Sequence, residues 1–348
     1  MKKAFDTTEL LLKKLEFYGI RDIELEWFKD YLSNREQKVM FKNILSRSRK
    51  LSCGVPQGSI LGPILFILFI NDMPSALRIL TNLFADDTTY QHSSNNLDSL
   101  ISETNAELEK AAEWFRSNRL TVHAGKTKYV IFGDKTNLKT KLYLQGDELE
   151  RIYEKEDTKS YKYLGIQMDE NLSWQHHVKF VSEKVTKLTF SLIRNRKKLC
   201  KSIKSLIYGA LIKPHLDYGI TIWGGCKHLS QLEKAQKRAI RIANDKSKFH
   251  HTEPLLKEMN QPKLKDMYRI QCLVLSKKVL DKMGPKCLQE QFTWHEESSR
   301  RSHLMKIPHF STLTEKTSTV KIPQVWNEYY IEGMREELRL NTKNYSHF

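Results

Sequence analysis

Between residues 80 and 91, two short β-prone runs, 80–84 and 88–91, flank Ala85-Asp86-Asp87. A break this short between two extended runs predicts a tight hairpin, with the carboxylates of Asp86 and Asp87 at its tip. Adjacent carboxylates repel unless a cation lies between them. Hard oxygen donors of this kind suit Mg²⁺, which takes its remaining ligands from water and phosphate. A pair of such ions clamps the attacking and leaving oxygens in nucleotidyl transfer. A plain polar turn would use the same residues, because aspartate is common in turns, so the neighbouring segments must decide.

Upstream, residues 53–63 read Cys-Gly-Val-Pro-Gln-Gly-Ser-Ile-Leu-Gly-Pro. Gly54 and Gly58 bracket Pro56-Gln57, which lets the backbone approach a ligand closely. The loop feeds an apolar run, 60–70, whose free N–H groups at a helix start favour phosphate. That run is too short to span a bilayer, contains Gly62 and Pro63, and stops at Asn71-Asp72, so it predicts a buried core helix. Before it, Leu11, Leu12, Leu15 and Tyr18 recur at helical spacing over residues 9–19, with Gly19 as a stop. A second amphipathic helix is expected over 23–32 and a strand over 37–41.

The chain of 348 residues carries a formal net charge of +17, an excess that points to a polyanionic partner. Its five cysteines, at positions 53, 200, 226, 272 and 287, show neither a CxxC pair nor zinc-knuckle spacing, which predicts reduced thiols in an intracellular protein. No signal peptide is visible, and no helix shows a large exposed apolar face for a membrane surface.

Downstream, Leu97, Leu100, Ile101, Leu108, Ala112 and Phe115 fit one face of a long helix. Gly125-Lys126-Thr127-Lys128 then leads into an apolar strand over 129–132. Residues 161–166 and 172–177 follow; adjacent His176 and His177 point apart on a helix and lack an acidic third ligand at helical spacing, which argues against a metal. Val178, Val181, Val185, Leu188, Leu192 and Ile193 mark one face of a further helix. Its other face carries Lys179, Lys184, Lys187, Arg194, Arg196, Lys197 and Lys198, a pattern suited to a duplex backbone. Helices are expected over 202–213, ending at Pro214, over 218–223, and over 229–243 with Lys234, Lys237, Arg238 and Arg241 as a second basic face. A linker over 246–251, short helices from Thr252, a helix over 267–280 and a last helix opening at Trp326-Asn327 complete the chain.

The order of Ala4-Phe5-Asp6, Gly54-Val55-Pro56-Gln57-Gly58-Ser59 and Phe84-Ala85-Asp86-Asp87 resembles the reverse transcriptase of a non-LTR (LINE-like) retrotransposon. Residues 1 to about 170 carry the specific motifs. The resemblance implies an α+β fold: a polymerase right-hand palm with most of the fingers missing (residues 1–170), a helical thumb (171–245) and a mostly helical C-terminal region (246–348). It implies metal-site carboxylates at Asp86 and Asp87. Lys126 would help protonate the leaving pyrophosphate, although by itself it reads as a surface lysine. Phe5 would be the gate against a ribose 2′-hydroxyl, and Gln57 and Gly58 would lie against template and incoming nucleotide. The segment over 161–166 is similar to the family's primer grip. Implied partners are an RNA template, a DNA primer or RNA/DNA duplex, and deoxynucleoside triphosphates, with two Mg²⁺ ions; oligomeric state is not implied, and no membrane is.

Two departures qualify this. The family's first catalytic aspartate stands five residues before the gate aromatic, a position before Met1, so the expectation is a chain truncated within the first palm motif and impaired in catalysis. Asp6 is a candidate replacement, with an N-cap for the helix beginning near Thr7 as its ordinary role. An asparagine expected in the fourth motif is His123. The alternative expectation is a non-catalytic nucleic-acid-binding remnant, in either case intracellular, in nucleus or cytoplasm.

Overall fold

The computed structural model describes residues 8–51, 54–55, 58–133, 140–153, 160–293, 305–306 and 317–329. They divide into two compact units, the boundary falling after residue 151 with residues 130–133 grouped in the second. Among them no helix is long and apolar enough to cross a membrane. Cys200, Cys226, Cys272 and Cys287 are free; Cys53 lies outside the described residues.

The first unit opens with α1 (Thr8–Phe17) and α2 (Asp22–Leu32), followed by β1 (Arg35–Gln37), β2 (Met40–Phe41), β3 (Ile44–Leu45) and β4 (Arg49–Leu51). β1 pairs antiparallel with β4 and β2 with β3, so residues 35–51 form one narrow ribbon. The single strand expected over 37–41 is therefore half of a hairpin. Its turn, Lys42-Asn43, has φ of 46° and 64°, the left-handed pair that a twisted two-residue hairpin requires.

Next come α3 (Leu61–Ile70), a 3-10 turn (Met73–Ala76), β5 (Leu80–Phe84), β6 (Asp87–Gln91) and α4 (Leu97–Ser117). Asn96 caps α4 by accepting from the N–H groups of Asp98 and Ser99. A 3-10 turn (Ala124–Lys126) and β7 (Lys128–Tyr129), β8 (Tyr143–Leu144), β9 (Asp147–Glu148) and β10 (Glu150–Arg151) close the unit. The strand expected over 129–132 is reduced to β7, which pairs in parallel with β10 for two residues only.

α3 is not the fully buried helix its composition suggested. Leu65, Phe69 and Ile70 are buried, whereas Ile60, Ile64 and Ile67 are exposed. The buried side packs with Leu11 and Leu15 of α1 and with Trp114 and Phe115 of α4. Lys14 locks this contact: its Nζ donates to Phe69 O at 2.6 Å and Asp72 Oδ1 at 2.8 Å, over the rings of Phe69 and Trp114. An ammonium at the C-terminal end of α3 also complements the helix dipole.

The second unit is nearly all helical. β11 (Tyr161–Tyr163) and β12 (Ile166–Met168) form a hairpin ahead of α5 (Gln175–Asn195), α6 (Lys201–Ile207), a π-helical turn (Tyr208–Ile212), α7 (Lys213–Asp217), α8 (Ile220–Trp223) and α9 (Ser230–Ala243). α10 (Glu253–Glu258), α11 (Leu264–Leu280), α12 (Lys286–Gln291) and α13 (Ser318–Tyr329) follow. One continuous core runs from Val178, Val181 and Val185 through Trp223, Leu232 and Ile240 to Met267, Cys272 and Trp326. Asp169, itself buried, accepts from the N–H groups of Asn171, Ser173 and Trp174 and so builds the corner that launches α5.

Two helix boundaries differ from the sequence expectation. Pro214 does not end a helix but stands in the first turn of α7, where its missing N–H costs nothing. The π turn before it restarts the hydrogen-bond ladder. α13 begins at Ser318 rather than at Trp326 and runs through Pro323, with Ile322, Val325 and Trp326 buried.

Candidate active site

The β5–β6 hairpin places Asp86 and Asp87 where the sequence predicts. Phe84 pairs with Asp87, leaving Ala85 and Asp86 as the two turn residues. Ala85 has φ of 50°, a left-handed conformation that costs a β-carbon about 1–2 kcal/mol. The turn is thus held against local preference by the ladder of Leu83 with Thr88, Asn82 with Thr89 and Thr81 with Tyr90. One side of the hairpin is anchored: Leu83 and Tyr90 pack on the core with Met73 and Ile79. Burial pushes the Tyr90 phenol well above its usual range. From α4, Glu107 accepts the N–H of Arg78 at 2.7 Å and fixes the approach to β5.

Both carboxylates are exposed, and neither has a hydrogen bond or ion pair among the described residues. Two adjacent hard donors open to solvent fit a divalent cation that completes its shell with water and phosphate. Among the described residues no group of three or more His, Cys, Asp and Glu side chains gathers around a common point. Asp86 and Asp87 are the two adjacent carboxylates at this hairpin.

The glycine loop is held at both ends. Arg35 donates through Nη2 to Gly54 O and through Nε to Leu32 O at 3.1 Å. Ser59 Oγ accepts the N–H of Gly62 at 3.0 Å in the first turn of α3. Gly54 and Gly58 have φ of 83° and 81°, with open space where a β-carbon would stand. Glycine is needed there for the backbone angle, and the space beside both glycines stays clear. Arg35 escaped sequence reasoning because its partner lies 19 residues away and no periodic pattern links them.

Lys126 ends the 3-10 turn, exposed, and its side chain makes no hydrogen bond or ion pair among the described residues. Phe5, Asp6 and Gln57 lie outside the described residues. In the second unit, Lys179, Lys187 and Arg194 are exposed along α5 and Lys197 just beyond its end, while Lys184 lies over the Phe180 ring at 4.6 Å. Arg196 is committed within the fold, donating Nε to Asp245 at 2.8 Å. That same carboxylate accepts from the buried Lys204, and the Lys204 and Arg196 bonds hold the Asp245 carboxyl below the usual range. His177 is buried, accepting the N–H of Gln167 at Nδ1.

Residues 1–168 match the family model described as reverse transcriptase (RNA-dependent DNA polymerase). Among curated proteins the chain is 28% identical over 252 residues to the RNA-directed DNA polymerase from mobile element jockey of Drosophila melanogaster, covering 68% of this chain and 27% of that protein. It is 27% identical over 224 residues to the probable RNA-directed DNA polymerase from transposon X-element of the same species, covering 62% and 24%. To the probable RNA-directed DNA polymerase from transposon BS it is 29% identical over 266 residues, covering 70% and 28%. Residues 1–168 are therefore a domain of the reverse transcriptase family, and the kinship with non-LTR mobile elements read from the motifs stands. The chain spans about a quarter of the length of these relatives.

Proposed function

We propose that this chain is the RNA-directed DNA polymerase segment of a mobile element, extending a DNA primer with deoxynucleoside triphosphates on an RNA template. The observation that carries the proposal is the tip of the β5–β6 hairpin: two consecutive, exposed carboxylates, unpaired among the described residues, on an anchored hairpin inside the matched domain. Residues 1–170 are read as palm with part of the fingers, 171–245 as thumb-like, and 246–348 as a C-terminal helical region.

Asp86 and Asp87 would hold Mg²⁺, which when bound lowers the pKa of a coordinated hydroxyl and neutralises phosphate charge. The chain's own residues do the rest. The hairpin presents the two carboxylates rigidly, because Leu83 and Tyr90 tie its base to the core. Gly58, with open space where a β-carbon would stand, would let template and incoming nucleotide approach the backbone, and Gln57 would lie against them. Phe5 would exclude a ribose 2′-hydroxyl, and Lys126 would supply a proton to the leaving pyrophosphate. Lys179, Lys184, Lys187, Arg194 and Lys197 would contact duplex phosphates; Arg196 would support them through Asp245.

Primer extension tests this: purified chain, RNA template annealed to DNA primer, four deoxynucleotides and Mg²⁺. Extension that Asp86→Asn and Asp87→Asn abolish is the expected result. The second reading, a non-catalytic binding remnant, rests on the basic outer surface of α5, which does not depend on the hairpin. It predicts no extension by the parent chain, with salt-dependent duplex binding that survives Asp86→Asn.

A further inference from the structure

The ribbon formed by β1 to β4 is used by nothing described so far. Every residue from 36 to 50 is exposed. That includes Val39, Met40, Phe41, Ile44 and Leu45, each between 59% and 74% exposed. Phe41 pairs across the ribbon with Ile44 and Met40 with Leu45. Consecutive strand residues alternate faces, so both faces of the ribbon are apolar, and neither joins a core among the described residues. A two-stranded ribbon with two bare apolar faces is a poor solution for water alone.

The charge around these side chains says what covers them. Lys38, Lys42, Arg47, Arg49 and Lys50 stand on the ribbon against the single acid Glu36. Glu36 already accepts from Ser48 Oγ at 2.5 Å. None of the five cations has an acidic partner among the described residues. Cations along both strands, with apolar side chains between them, complement a polyanion that also offers flat apolar surface. A membrane fits less well: the tip itself is Lys42-Asn43, so the most protruding groups are polar and the apolar ones stand behind them.

We infer that residues 36–50 are a DNA-binding arm that enters the major groove of B-form duplex DNA. Two strands lie about 4.8 Å apart, and with their side chains they match a groove about 12 Å wide that admits a β-ribbon. The deep, narrow major groove of an A-form helix does not admit one. Lys38, Lys42, Arg47, Arg49 and Lys50 reach phosphates on the groove walls, and Asn43 at the tip can pair with a base edge. Phe41, Ile44, Met40 and Leu45 contact base edges and thymine methyls. The arm thus grips a DNA duplex distinct from the template–primer hybrid of the proposed reaction. It does not depend on polymerase activity.

The test is fluorescence anisotropy with the full chain on a DNA duplex and on an RNA–DNA hybrid of the same sequence, between 50 and 200 mM salt. Two double variants are compared with the parent: Lys42→Glu with Arg47→Glu, and Phe41→Ser with Ile44→Ser. All four side chains are exposed, so the melting temperature should hold. The charge variant is expected to weaken DNA binding at least tenfold and to flatten the slope of log K against log salt by about 1–2. Hybrid binding should stay within twofold. The apolar variant should weaken DNA binding with its slope unchanged. Equal losses on both duplexes, or none on DNA, would overturn the inference. So would dissociation of a parent dimer by the apolar variant with DNA binding intact, or loss of flotation on anionic vesicles with DNA binding intact. A parent chain that extends no primer while the variants still separate DNA from hybrid would sink the polymerase reading alone. One that extends primers while the variants change nothing would sink the arm alone.

Discussion

The two units organise their cores differently, although both leave large apolar side chains exposed, Leu206 and Phe249 of the second among them. In the helical unit, side chains from α5 through α13 converge on one core, and Trp223, Tyr208, Ile212 and Leu216 are almost wholly sealed. In the first unit the core splits into two clusters, one around Phe69 and Phe115 and one around Leu108 and Leu144. Large apolar groups stay in the open: Ile60 just ahead of α3, Ile64 and Ile67 on it, Leu80 and Phe84 on the carboxylate hairpin, and the ribbon. A closed core gives stability that belongs to the unit itself. Open apolar faces flanking carboxylates and glycines give surface that other molecules can cover.

Truncating Trp223 to alanine should have the largest effect. Its ring is fully buried, its Nε1 donates to Tyr218 O at 2.9 Å, and it meets His177 edge-on. A loss of about 3–5 kcal/mol in urea unfolding is expected, with the near-ultraviolet signal of the helical unit going first. Equal loss of signal from both units would break the contrast.

Acid should act next, and on the helical unit. Burial pushes the His177 imidazole down to about 4, below its unfolded value near 6.5. The native state therefore resists a proton that the unfolded chain accepts. The stability is fully present above about pH 6.5 and is lost as pH falls towards 4, by about 2–3 kcal/mol at pH 4.5. Urea midpoints from pH 7 to 4.5 would show this slope, and His177→Gln should flatten it.

Gly224→Ala and Gly58→Ala separate crowding from backbone strain. A β-carbon at Gly224 would stand 2.5 Å from Ile220 O and 2.6 Å from Tyr268 Cδ2, which should cost about 1–3 kcal/mol. At Gly58 it would meet nothing, and only the φ of 81° penalises it, by about 1 kcal/mol. The smallest effect should come from Ile64→Ser and Phe84→Ser, each within about 0.5 kcal/mol of the parent. A loss above 2 kcal/mol at either would show that these faces are already covered.

Features set by local pattern were legible in the sequence. The hairpin around Asp86-Asp87 follows from two extended runs separated by three residues, the last of which, Asp87, joins the second strand, and α4, α5 and α9 follow from apolar spacing. What depended on distant partners was not. Residues 44–51 carry too many charges to read as strands, and only pairing with residues 35–41 makes them so. Arg196 reads as one more cation on a basic face until Asp245 is brought beside it by the packing of α5 on α9. The apolar composition of α3 could not say that one side faces outward, because the run has almost no polar residue to mark it.

The π-helical turn at Tyr208–Ile212 is in effect one extra residue carried inside a helix. Its consequence is angular. Deleting Gly209 would let an α-helical ladder run on, but would turn all that follows by about 100°. Tyr218, whose hydroxyl donates to Leu164 O at 2.6 Å in the β11–β12 turn, would swing off that hairpin, and Leu216 would leave the core. The extra residue works as a phase shifter: it sets the rotation at which α7 meets the rest of the unit, and a shorter, more regular helix would be the wrong part.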